Sequence, residues 1–121
     1  MTDPRRWMRM VLLVLLVPGA ALANGDALTG DEIAAVLTGH DIVYGDVGWE
    51  RHEADGRLLS RSTESRAGET SVGQWSVRGA RRCLRWSDAM GWVCYDVEGE
   101  GDRLRFTDEM GNTSTGRLVP R

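Results

Sequence analysis

Two periodicities divide this chain. Between Thr29 and Gly39 apolar residues recur at Ile33, Val36 and Leu37, a helical stripe, whereas from Ile42 onward short segments alternate apolar and polar positions. The helix has a written start. Thr29 and Glu32 stand at capping-box spacing, Leu28 and Ile33 occupy the positions of a hydrophobic staple, and Gly39 is a natural terminator. A helix of about nine residues is not stable alone in water, so it has to dock its stripe on something. The alternating part predicts strands over 42–44, 47–53, 57–62, 72–78, 82–86, 92–97, 103–107 and 113–118, each rich in β-branched or aromatic residues and bounded by turn residues. Asp55-Gly56 is the clearest hairpin turn, with later turns marked at Gly99, at Gly101-Asp102 and at Gly111-Asn112; residues 62–71 read as an exposed polar loop. Turn signals at intervals of about ten residues predict a mainly β fold, a small antiparallel barrel or sandwich of seven to eight short strands with one N-terminal helix.

Ahead of this lies a leader. Arg5, Arg6 and Arg9 precede the apolar run Met10 to Val17; Pro18 and Gly19 end it, and Ala21-Leu22-Ala23 places small residues where a signal peptidase reads. The run is far short of the roughly 20 residues that span a bilayer. The expectation is therefore a signal peptide at 1–23, cleaved after Ala23, and a single periplasmic or secreted domain at 24–121 with no stable membrane insertion. The leader holds three of the 15 basic residues and one of the 18 acidic ones, leaving 12 against 17, a net charge of −5. Nucleic acid is a poor partner for that balance. All 15 basic residues are Arg, and along the sequence they form no single cluster, which favours compositional bias over a recognition patch.

Export also gives the two cysteines a reading. Cys83 and Cys94, eleven positions apart in a Trp-rich segment, predict one disulfide stapling a hairpin; metal or redox pairs prefer closer CxxC spacing and further ligands. Opposing them sets Leu84 against Val93, Arg82 against Tyr95, Arg81 against Asp96 and Arg85 against Trp92. Leu84, Trp86, Val93, Tyr95 and Val97 then form a core face, and Cys83, Arg85, Trp92, Cys94 and Asp96 the other.

These residues carry a resemblance. Gly39, Tyr44, Ala54 to Arg57, Gly73-x-Trp75-x-Val77-x-Gly79, and Cys83, Trp86 and Cys94 appear in the order found in a group of small exported bacterial proteins of unknown function, which the chain resembles over nearly all of residues 24–121. Some members of that group carry a dihydrodipicolinate reductase label. Such a reductase needs a nicotinamide-binding βαβ domain, and this chain is too short for one and has no strand leading into a GxGxxG turn, so the label reads as a mistaken inheritance.

Catalytic signals are sparse. His40 and His52, with Asp41, Glu53 and Asp55, are the material for a divalent-metal site, but no ligand spacing supports one, and His40 just past the helix end suits the helix dipole. Ser60, Ser62 and Ser87 lie in no nucleophile motif, and Glu98, Glu100 and Asp102 read as a solvated turn. The sequence assigns no catalytic residue, no metal ligand and no cofactor. Trp49, Arg85 and Trp92 are the candidate contact residues for a partner. The expected function is a non-catalytic exported module that binds a cell-envelope protein or a small ligand; the alternative is a small periplasmic hydrolase or metal-dependent enzyme using His40 and His52.

Overall fold

The computed structural model describes residues 22–63 and 68–121; the leader up to residue 21 lies outside the described residues. Strand β1 (Leu22–Ala27) precedes helix α1 (Gly30–Gly39). Eight strands follow: β2 (His40–Tyr44), β3 (Gly48–His52), β4 (Arg57–Ser62), β5 (Ser71–Arg78), β6 (Arg81–Arg85), β7 (Val93–Gly101), β8 (Arg103–Thr107) and β9 (Thr113–Pro120). From β2 to β9 each strand pairs antiparallel with the next, and β9 returns to β2 through His40↔Pro120 and Ile42↔Leu118. The result is a closed eight-stranded up-and-down barrel, which leaves no open sheet edge around its wall. β1 is an extra strand. It pairs with the lower half of β7, at Asp26↔Gly99 and Ala27↔Glu98, past the point where β6 has ended.

The helix begins as its sequence dictates. The Glu32 backbone N–H donates to Thr29 Oγ1 at 3.2 Å, while the Thr29 N–H donates to Glu32 Oε1 at 2.9 Å. Leu28, Ile33 and Leu37 are buried, and α1 packs on β2, β3, β5 and β6, closing one end of the barrel. Inward-pointing Ile42, Leu58, Trp75, Leu84, Val97, Leu104, Phe106 and Leu118 complete the core. Arg121 fastens this end: its backbone N–H donates to the Gly39 carbonyl, and its guanidinium reaches Thr38 O, His52 O and Glu53.

The hairpin register follows the cysteine argument. Cys83 and Cys94 are bonded and directly opposed, with Leu84↔Val93, Arg82↔Tyr95 and Arg81↔Asp96 alongside. The expected turn at Asp55-Gly56 is also present, with Gly56 at φ +96°, a conformation glycine adopts without strain.

Three local expectations change. β7 runs on through Gly99 to Gly101, so Glu98 and Glu100 belong to a strand and not to a solvated turn. Trp86 and Val93, assigned by alternation to the core face, are 39% and 48% exposed. Their positions do point inward, but they sit at the end of the barrel away from α1, where the interior opens to solvent. An additional strand, β1, overlaps the expected leader only at residues 22 and 23 and otherwise covers residues 24–27, to which the sequence pattern assigned no element.

Candidate functional site

In an up-and-down barrel, alternate connections fall at opposite ends. α1 enters β2 at His40, so the β2–β3 turn, the β4–β5 loop, the β6–β7 loop and the β8–β9 turn gather at the far, open end. Loops clustered on a rigid scaffold are where binding surfaces are built. Val47, Val72, Trp86, Met90, Val93 and Met110 are the exposed large apolar side chains of the described residues, and each lies at this end. Elsewhere among the described residues the large apolar side chains are buried or half-buried, so the exposed ones are polarised along the axis. The staple holds one of these loops: the disulfide lies at the base of the β6–β7 hairpin whose tip carries Trp86 and Met90. Trp86 packs on Gly73, where an added Cβ would lie 2.6 Å from Trp86 Cε3, so glycine is the residue that lets this ring lie across the strand.

Below the rim the inward positions carry small or polar residues, Ser60, Ser62, Ser71, Gly73 and Ser114, of which Ser71 and Ser114 are exposed. Deeper still lies a polar layer. Tyr44 donates to Glu50 Oε1 at 2.7 Å, and Arg82 Nη1 donates to the same oxygen at 3.0 Å and to His52 Nε2 at 3.3 Å. The Arg82 side chain is 3% exposed and Glu50 14%, and the guanidinium lies over Phe106 at 3.7 Å and Tyr95 at 5.0 Å. Because His52 Nε2 accepts from Arg82, its proton sits on Nδ1, and neither that group nor Arg82 Nε has a hydrogen-bond partner. Burial raises the Tyr44 hydroxyl well above the usual tyrosine range. Burial, then the Arg82 and Arg121 guanidiniums, pushes His52 down to about 2, which holds the imidazole neutral.

The sequence candidates fall elsewhere. His40 Nδ1 donates to the Val36 carbonyl at 2.9 Å, and His52 faces the barrel core edge-on to Trp75. Among the described residues no group of three or more His, Cys, Asp or Glu is placed to hold a metal ion. Trp49 is half-buried on the outer wall between Arg51 and Arg61, at 6.0 and 5.7 Å. Trp92 is clasped between Arg78 and Arg85, at 4.5 and 4.6 Å, on the outer face that carries the disulfide; the expected Arg85 contact is present, and Arg85 Nε also donates to Gln74. These rings and guanidiniums engage each other and flank the hairpin rather than top it. A further depression of about 280 Å³ lies on the outer wall among Glu98, Glu100, Arg103, Arg105 and Thr115, where Arg105 pairs with Glu98.

No family model, curated protein or solved structure matches the chain. What can be said of its activity therefore rests on this geometry. The open end offers apolar contact area on a braced frame. Among the described residues it offers no aligned nucleophile and base, because the two histidines are committed to a backbone carbonyl and to a buried guanidinium. No helix of the described residues is long and apolar enough to cross a membrane.

Proposed function

We propose that this chain is an exported, periplasmic or secreted binding barrel that engages a cell-envelope protein through the loops at its open end, without catalysing a reaction. The observation that carries the reading is the gathering of Val47, Val72, Trp86, Met90, Val93 and Met110 at one end of the barrel. Exposed apolar side chains scattered singly need no explanation, whereas a concentration of them on one surface marks contact with another molecule. Met and Trp are adaptable and large contact residues, respectively. The disulfide suits an oxidising compartment, as does the resemblance to small exported proteins. A protein partner is favoured over a small apolar ligand because the barrel axis is filled by core side chains and by the Glu50–Arg82 layer.

Capture from envelope extract tests this when the wild-type protein is run beside Met90→Ser/Met110→Ser. Contact residues of this kind contribute about 1–2 kcal/mol each, so the double variant is expected to weaken retention of the partner on the order of 30-fold or more. Equal retention by both forms would refute the open end as the binding surface.

A further inference from the structure

We infer that the partner taken by this barrel end is cationic, a protein segment bearing Arg or Lys beside apolar side chains. The inference rests on the binding reading above and adds the partner's chemistry. It comes from a segregation of charge. The described residues of the open-end connections, 45–47, 63, 68–70, 86–92 and 108–112, hold Asp46, Glu69, Asp88, Asp108 and Glu109 and contain no Arg, Lys or His. The arginines of the described chain lie on the strands or at Arg121, and the two at strand ends beside this rim are already engaged, Arg61 donating to Thr70 and stacking near Trp49, and Arg85 bonded to Gln74 and lying over Trp92. Residues 64–67 lie outside the described residues.

Four of these carboxylates face solvent. Asp88 is 88% exposed and only 3.5 Å from Arg85, and Glu109 is 70% exposed and 3.8 Å from Arg81, contacts long enough to yield to a better partner. Asp46 and Glu69 are exposed. Asp108 serves the turn instead, accepting from the backbone N–H groups of Met110 and Asn112 and so fixing the loop that presents Met110. The asparagine side chain also bonds it and holds its carboxyl below the usual carboxylate range, so it stays charged.

Acidic residues interleaved with Val47, Met90 and Met110 decide between occupants. An anionic bilayer would be repelled by this rim, although apolar tips alone would suit it. Nucleic acid is repelled for the same reason. A surface that pairs cations with apolar groups satisfies both features at once, with the carboxylates steering approach and the tips supplying contact area.

The probe is a short amphipathic peptide of Lys and Leu, compared with a Glu and Leu counterpart, each titrated into isotope-labelled protein. The expected result is amide shifts confined to 45–47, 86–92 and 108–112 with the cationic peptide. Affinity should fall about tenfold between roughly 50 and 300 mM salt, as screening of exposed charges requires. Asp46→Asn/Asp88→Asn/Glu109→Gln should weaken binding about fivefold or more, while Glu98→Gln/Glu100→Gln leaves it unchanged. Equal binding of the Glu peptide at the rim would overturn the cationic assignment and leave the open end as a site. Shifts centred on Glu98 to Arg105, or no binding of either peptide, would overturn the assignment as well. Unchanged affinity in Met90→Ser/Met110→Ser would instead count against the open end itself.

Discussion

Breaking the ion pair inside the barrel should be far more damaging than removing it whole. Arg82 is 3% exposed, and its Nη1 lies 3.0 Å from Glu50 Oε1. The groups around it, Phe106, Tyr95 and neutral His52, offer no second negative charge. Glu50→Gln keeps an acceptor for the Tyr44 hydroxyl but leaves a guanidinium enclosed without its counter-ion, which is expected to cost about 3–5 kcal/mol. Arg82→Met strands the carboxylate and should cost a similar amount. In Glu50→Gln/Arg82→Met no buried charge remains, and Met fills most of the vacated volume, so the net loss should be only about 1–2 kcal/mol. Small domains are stable by about 5–15 kcal/mol, so either single change removes a large share of the total. Urea unfolding at neutral pH reads this directly: at an m-value of about 1.5 kcal/mol per molar, each single variant moves its midpoint down by roughly 2–3 M and the double variant by about 1 M. Additive losses, with the double variant the least stable of the three, would refute the reasoning. So would a single variant costing under about 1 kcal/mol, since water would then be reaching the pair.

The disulfide and the buried histidine give two more expectations. Cys83→Ala/Cys94→Ala removes a crosslink spanning 11 positions and should cost about 2–3 kcal/mol, lowering Tm by roughly 10–20 °C; a melt unchanged by the substitution or by reductant would show that the staple does not brace the fold. His52 ionises near 6.5 in an unfolded chain and near 2 in the barrel. The unfolded state therefore binds the extra proton as pH falls below 6.5, and stability declines with acidification by up to about 1.4 kcal/mol per pH unit. His52→Gln should flatten that decline between about pH 6 and 5, above the range where carboxylates titrate; equal slopes in the two proteins would count against a neutral buried imidazole.

The fold was legible in the sequence where local chemistry and global pattern agree. Thr29 with Glu32, Asp55 with Gly56 and the opposed cysteines each specify a local geometry, and the barrel uses all three. Gly99 and Gly101 misled because glycine favours turns when considered locally, whereas two-sided pairing of Gly99 with Asp26 and Leu104 holds it in a strand. Trp86 misled because alternation says which way a side chain points and not whether that part of the interior is closed. The polar layer was hidden by the habit of reading Glu, His and Arg as outward; the available signal was that Arg82 shares the parity of Leu84, and His52 and Glu50 share one with each other. The acidic, apolar rim had no linear signature at all. Its residues come from segments some twenty positions apart, and only the alternation of connections between the barrel's two ends brings them together.

Barrel closure has a consequence for how the chain assembles. Every strand pairing from β2 to β9 joins neighbours along the sequence except the last, which brings His40 to Pro120 across the whole meander. The hairpins can form in any order as short-range events, but this seam needs a single long loop to close, an entropic cost of roughly 4 kcal/mol before any contact is made. Such a step is the slow one in a β topology. Arg121, hydrogen-bonded to Gly39 and Glu53 beside this seam, fastens it once it has closed.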